Sequence, residues 1–117
     1  MQSLPKNCRL QKASEFAAII NFKCQISGDL IQIYSKPNGL GYARLGLIVS
    51  KKFERRATRR NRIKRILRET FRRKRGGDKI KEMDWLIRLR RPMIKDESKE
   101  LATEMQLIMF EVQKCHD

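Results

Sequence analysis

Arginine and lysine crowd residues 51–75 (KKFERRATRRNRIKRILRETFRRKR), where 14 basic side chains meet two acidic ones, Glu54 and Glu69. Ten of the 14 are arginines. A guanidinium forks onto phosphate oxygens and also stacks on bases, so the chemistry on offer is the binding of a polyanion. Solvated helices ordinarily mix signs at i, i+4 spacing, and this segment does not. Groups for bond-breaking chemistry are scarce by comparison. The single histidine, His116, stands beside the C-terminus, where chain ends are loosely ordered and a general base is badly placed. Without it no Ser-His-Asp or Cys-His constellation can be assembled. No Walker-type glycine loop occurs. Cys8, Cys24 and Cys115 are odd in number and widely spaced, which fits neither a disulfide framework nor a zinc spacing. They read as ordinary reduced thiols of a reducing cytoplasm. Asp96, Glu97 and Glu100 suit the start of a helix. Asp78, Glu82 and Asp84 lie among lysines and read as a solvated loop, although a nuclease working with its own side chains would need that trio.

These residues must be held by some fold, and the hydrophobic pattern indicates which. Phe16, Ile19 and Ile20 share one face of a predicted helix in KASEFAAIINF, with Ser14 or a neighbour as its cap. Leu30–Ser35 (LIQIYS) reads as a strand, with a weaker one before it at 23–26. Pro37, Asn38, Gly39 and Gly41 make a turn. Ala43–Ser50 (ARLGLIVS) is a second clear strand, with Leu45, Leu47 and Val49 on one side and Ile48 on the other. From about Thr58 to Arg75 the period is helical. Ile63, Ile66, Leu67, Thr70 and Phe71 form one apolar stripe. Asn61, Arg65, Arg68 and Arg72 fall opposite, with Lys64 at the edge and Arg62 and Arg73 on a flank. Gly76 and Gly77 end that helix. Asp84–Arg90 (DWLIRLR) is a third strand, stopped by Pro92. Leu101, Met105, Ile108, Met109 and Val112 mark a last helix, capped by Asp96, whose methionine-containing stripe packs on the sheet. The expected class is α+β, an α/β sandwich in which helices cover a small sheet.

The chain has 117 residues and a net charge of +15, from 28 basic and 13 acidic side chains. That size supports one domain over 1–117, with 1–8 and 115–117 expected as loose tails. Outside 51–75 the net charge is only +3, so one segment carries the imbalance. At 40% hydrophobic the chain is no disordered basic tail. No apolar run is long enough to span a membrane and no signal peptide is evident, so the expectation is a cytoplasmic protein without a membrane partner. A membrane-surface helix would want a broad exposed apolar face, and here the apolar face is narrow and needed for the core. A solid cationic ridge with one asparagine suits backbone contact rather than base reading, which favours structured RNA. Phe16 and Tyr34 are candidates to stack unpaired bases, or to pack in the core.

The run RLGLIVSKK followed by ATRRNRIKRILRETFR closely resembles the protein subunit of bacterial ribonuclease P. Arg60, Asn61 and Arg62, then Lys64, Arg65 and Arg68, match that family's basic-helix motif. RLQKASEFAAII and DWLIRLRRP resemble its N-terminal segment and final strand, so the likeness spans roughly Arg9 to Pro92. The resemblance implies a four-stranded sheet with about three helices in the order α-β-β-β-α-β-α and a left-handed β-α-β crossover, against the general rule. It implies two partners, the catalytic ribonuclease P RNA and the 5′ leader of precursor tRNA, with no protein partner required. No cofactor is then held by the protein; the ribonucleoprotein uses Mg²⁺ held largely by RNA. Carried across residue by residue, Arg59, Arg60, Asn61, Arg62, Lys64, Arg65 and Arg68 fall to the catalytic RNA. Phe16, Ile20, Lys51 and Lys52 fall to the leader, together with Ile33 or Tyr34, between which a one-residue gap leaves the strand aromatic undecided. Arg9 and Lys12 are further RNA-contact candidates. Ile20 stands where the family commonly has a second aromatic. The different-class alternative is a structural RNA-binding protein of the ribosomal kind.

Overall fold

The computed structural model describes residues 4–76 and 80–116. Three helices, α1 (Ala13–Asn21), α2 (Ala57–Gly76) and α3 (Ser98–Val112), surround four strands, β1 (Gln25–Ser27), β2 (Ile31–Pro37), β3 (Arg44–Ile48) and β4 (Met83–Leu89). The sheet order is β1-β2-β4-β3. β2 pairs antiparallel with both β1 and β4, whereas β3 and β4 run parallel. A parallel pair needs a crossover, and α2 supplies it. The cationic helix is thus threaded through the middle of the fold rather than appended to it.

Alternation along the strands divides the hydrophobic residues between two faces. On one face Ile31, Ile33, Leu45, Trp85 and Ile87 meet Leu67 and Phe71 of α2 and Leu101, Met105 and Met109 of α3, all nearly or fully buried. On the other, α1 closes a smaller cluster of Leu10, Ile19, Tyr34 and Leu86, with Phe16, Ile20 and Ile48 partly buried against it. Every residue of the predicted α2 stripe is buried or half-buried, and the α3 stripe packs as expected. The hairpin joining β1 and β2 is pinned from outside. The Glu104 carboxylate accepts the backbone N–H groups of Asp29, Leu30 and Ile31, each at 2.8 Å. A Cβ on Gly28 would come within 2.6 Å of the Glu104 and Ile108 side chains, so a larger residue here would have to displace them.

Several expectations are corrected. Ser14 does not cap α1; Lys12 holds the cap position without a side-chain bond. Glu97 precedes α3, while Asp96 accepts the Ser98 amide at 3.1 Å. Gly77 and Asp78 lie outside the described residues. The ends are not loose at 4–8 or 115–116. Leu4 and Cys8 are buried in the main core, and the Leu10 amide donates to the Leu45 carbonyl at 2.8 Å, which lays the N-terminal segment along the free edge of β3. His116 is anchored too, with Nε2 2.8 Å from the Ser35 hydroxyl and its ring stacked on Phe22. Cys24 and Cys115 are joined as a disulfide across 91 residues of sequence, which overturns the reading of all three cysteines as reduced; Cys8 is free. Spacing could not reveal a pair that only the tertiary fold brings together.

Leu67→Ala, at a fully buried position, should cost about 2–5 kcal/mol in urea unfolding. Arg65→Ala, on the exposed side of the same helix, should change stability by less than about 0.5 kcal/mol. Equal losses would mean the helix is rotated from the orientation described.

Candidate nucleic-acid interface

The face under α1 is built on one row of the sheet. Tyr34 and Gly46 both lie opposite Leu86. A Cβ at Gly46 would stand 2.7 Å from Phe16 Cε1 and 3.1 Å from Leu10 Cβ, so glycine lets the Phe16 ring lie directly on the backbone of β3. An ion-pair chain sets the height of α1. Arg44 Nε and Nη2 donate to Asp84 Oδ1 and Oδ2 at 2.7 Å each, and its Nη1 donates to Glu15 Oε2 at 3.1 Å. The bond to Asp84 raises the Arg44 pKa above its ordinary value, against the opposing effect of burial. Glu15 immediately precedes Phe16, so this chain fixes the helix turn that carries the aromatic ring.

Beside that ring lies a cleft of about 310 Å³, lined by Leu4, Arg9, Leu10, Gln11, Phe16, Leu45, Leu47, Lys64 and Arg68. It joins the N-terminal segment, α1, β3 and α2. Lys64 and Arg68 are i, i+4 neighbours and point into it together. Burial, and then the charge of Arg9, pull the Arg68 guanidinium below its usual pKa. Arg9 Nε is buried with no hydrogen-bond partner. Arg9 and Arg68 therefore line one cleft, and no carboxylate pairs with either among the described residues. Unpaired buried donors are costly, and an anion would satisfy them.

The acids are spent elsewhere. Glu69 holds Arg72 and Arg73, Asp29 and Glu97 hold Arg91, and Asp96 holds Arg62 at 3.1 Å. The Arg62–Asp96 pair is exposed on both sides and therefore weak. Among the described residues no carboxylate pairs with Arg9, Arg59, Lys64, Arg65 or Arg68. Asn61 and Arg65 stand exposed between the cleft and a second one of about 250 Å³, whose walls include Arg59, Arg62, Ile63, Ile66 and Ile94.

Most residues singled out in the sequence fall along this surface, with two corrections. Ile33 is fully buried on the opposite face of β2, in the main core, whereas Tyr34 lies on the α1 face. Tyr34 is itself only 5% exposed. Arg60 turns back to donate from Nη1 to the carbonyls of Glu54 and Arg55 at 3.0 and 2.8 Å, and so braces the loop entering α2. Ile20 lies half-buried beside Phe16's cluster, Lys12 is exposed at the start of α1, and Lys51 and Lys52 are exposed in the turn after β3. The sequence reading missed Arg88, exposed on the same face as Leu86; counting in twos from Leu86 would have found it. It also missed that Phe16 and Arg68 share a cleft, which no local pattern encodes. The possible nuclease trio does not assemble. Asp84 is committed to Arg44 and to Asn38, Asp78 lies outside the described residues, and no group of three metal-ligating side chains occurs among the described ones.

Such a surface can grip a phosphate backbone and press an aromatic ring against the bases that hang from it, which places the chain among nucleic-acid-binding proteins. Comparison with known proteins narrows the class. The ribonuclease P family model matches residues 4–113. The ribonuclease P protein component of Nitrosomonas eutropha is 44% identical over 104 residues, covering 87% of this chain and 84% of its own. That of Chromobacterium violaceum is 36% identical over 107 residues, covering 92% and 87%. Among solved structures, the RNase P protein of Staphylococcus aureus superposes with a TM-score of 0.69 at 26% identity, over 94% of this chain and 95% of that one. The RNase P protein from Thermotoga maritima gives 0.68 at 29% identity, over 91% and 96%. The chain belongs to the ribonuclease P protein family. It is thus a protein component of the endoribonuclease that matures tRNA 5′ ends, an enzyme in which the RNA carries the catalysis, and its partner is the ribonuclease P RNA. No helix among the described residues is long and apolar enough to cross a membrane.

Gly46→Ala should lift the Phe16 ring from β3. The expected signature is a loss of about 1–3 kcal/mol in stability together with shifts of the Phe16 and Tyr34 ring resonances. Unmoved ring resonances would show that α1 does not rest on that glycine.

Proposed function

We propose that the catalytic RNA lies along α2, on Asn61 and Arg65 with Lys64 and Arg68 to one side and Arg59 and Arg62 to the other. The single-stranded 5′ leader of precursor tRNA crosses the α1 face, where Phe16, with Tyr34 beside it, meets its bases. Ile20 widens the apolar floor, and Lys51, Lys52 and Lys12 take phosphates at its borders. The cleft between Arg9, Lys64 and Arg68 is where the two surfaces meet, and one phosphate sits there. The observation that carries this reading is the partnerless, buried Arg9 Nε in a cleft that Arg68 and an aromatic ring also line. A phosphate satisfies both guanidinium groups at once, because a fork of N–H donors matches its oxygens.

The mechanism follows from charge. Hydrolysis of the phosphodiester uses Mg²⁺ held largely by the RNA, and no protein side chain attacks. Bringing a polyanionic leader against a polyanionic catalytic RNA is opposed by phosphate repulsion. The cations of α2 and the α1 face reduce that repulsion, so less Mg²⁺ is needed for the same rate. Arg60 and Arg44 act one step back, bracing the entry to α2 and the seat of α1. The place of action is the cytoplasm, where precursor tRNA is made in a bacterium.

Reconstitution with the RNA subunit and a precursor tRNA tests the proposal. The protein alone should cleave nothing, and in complex it should lower the Mg²⁺ requirement; cleavage by the RNA-free protein contradicts the reading. With about six phosphate contacts, the slope of log affinity against log salt should be roughly −4 to −5, and Arg65→Ala should make it shallower by about 0.7–0.9. Phe16→Ala should weaken precursor binding by about 1–3 kcal/mol per lost stacked base while leaving affinity for the RNA subunit unchanged. If both affinities fall together, the two surfaces are not separate.

A further inference from the structure

The disulfide between Cys24 and Cys115 has no part in gripping RNA, and its surroundings are those of a reversible site. We propose that Cys24 and Cys115 form a redox-responsive clasp, closed by low-molecular-weight disulfides of the glutathione class and opened by the corresponding thiols. The pair bridges distant parts of the fold. Cys24 lies between α1 and β1, and Cys115 lies in the turn of 3-10 helix at Gln113–His116 that follows α3. Their Cα atoms are 6.3 Å apart, within the range a disulfide spans without backbone movement.

The two sulfurs are unequal. Cys24 is 7% exposed, whereas Cys115 is exposed. Thiol–disulfide exchange requires access to one sulfur and a poised partner for the second step, and this asymmetry provides both. In closing, the Cys115 thiolate attacks a sulfur of the external disulfide, which leaves a mixed disulfide on Cys115 and releases one external thiol. The Cys24 thiolate then attacks the Cys115 sulfur and expels the second external thiol. Two protein thiols are oxidised and one external disulfide is reduced to two thiols, each taking up one of the protons lost by the cysteines. Opening is the reverse.

The partner is kept in place when the bond is absent. His116 Nε2 lies 2.8 Å from the Ser35 hydroxyl, and the His116 ring stacks on Phe22 at 5.9 Å. Both contacts join the C-terminal turn to neighbours of Cys24: Phe22, two residues before it, and Ser35, whose amide donates to the Cys24 carbonyl at 3.1 Å. Lys23, immediately before Cys24, has φ of 67°, a left-handed conformation that non-glycine residues rarely hold. It reverses the chain at the end of α1 so that the Cys24 side chain enters the core beneath α3 instead of facing solvent. The noncovalent contacts hold the thiols near one another at high effective concentration, which is what makes a disulfide reform in preference to a lasting mixed adduct. A protein working in a reducing compartment would then carry the clasp open and close it under oxidative stress.

The full-length chain is equilibrated in glutathione buffers of stepped redox ratio, quenched with an alkylating reagent and weighed. Cys24 and Cys115 should lose their thiols together, with a single midpoint, while Cys8 stays reduced. In Cys24→Ser the exposed Cys115 should accumulate as a glutathione adduct, and in Cys115→Ser the buried Cys24 should stay unmodified. Wild-type chain carrying a glutathione adduct on Cys115 with Cys24 still a free thiol would overturn the proposal, as would a Cys24–Cys115 link found between two chains instead of within one. Because either serine variant can be lost to misfolding, the wild-type thermal midpoint is compared with and without reductant. Reduction should lower it by at least about 5 °C, as expected for a crosslink closing so long a loop. An unchanged midpoint would show that the bond clasps nothing.

Discussion

Burial of the apolar stripe of α2 fixes where every other side chain of that helix must point. Ile63, Leu67, Thr70 and Phe71 are locked against the sheet and α3, and a helix has one rotation that satisfies them. The cations between those positions then have no freedom of direction. Lys64 and Arg68 are turned toward α1, Arg59 and Arg62 toward the far side, and Asn61 and Arg65 along the crest. A segment with 14 basic and two acidic side chains repels itself in isolation. It is tolerable here because the core holds it and because most acids pair with cations away from the proposed RNA surface, the exposed Arg62–Asp96 pair being the exception. Glu69, Asp96, Glu97 and Asp84 neutralise Arg72, Arg62, Arg91 and Arg44. What remains without a carboxylate partner among the described residues, Arg9, Arg59, Lys64, Arg65 and Arg68, belongs to the surface proposed to meet RNA.

The cleft joining Arg9, Arg68 and Phe16 links this constraint to function. It is made by three parts of the chain that are distant in sequence, residues 4–16, β3 and α2, and a different interaction places each of its three key side chains. The edge bond from Leu10 to Leu45 sets Arg9. The Glu15–Arg44–Asp84 chain and the glycine at 46 set Phe16. The α2 stripe sets Arg68. A family of RNA-assisting proteins has no need of a catalytic side chain, and the residues that might have supplied one are used for architecture instead. Asp84 is a buried anchor and His116 ties down the C-terminal turn.

Much of this was legible in the sequence, for identifiable reasons. Period 3.6 in α2 and α3 and period 2 in β3 and β4 follow from burial on one side, so the elements and their core faces could be read directly. The motif resemblance supplied the family, which similarity over most of the chain bears out. The rest depended on tertiary placement. Nothing local distinguishes Ile33 from Tyr34, and only the register against Leu86 and Ile87 shows which faces α1. Arg60 sits in the motif beside its working neighbours, yet its position on the helix turns it toward two loop carbonyls. The Cys24–Cys115 bond and the Arg44 ion-pair chain join residues dozens of positions apart, and the packing of Leu4 and Cys8 could not be inferred from a polar N-terminal stretch.

The arrangement of charge is open to direct observation. Arginine side-chain Nε–H resonances, followed by nuclear magnetic resonance while the catalytic RNA is added, report each guanidinium separately. The account predicts that Arg9, Arg65 and Arg68 shift and broaden on binding, while Arg44 and Arg91, held by their own carboxylates, stay where they are. Movement of Arg44 and Arg91 with Arg9, Arg65 and Arg68 unchanged would contradict it.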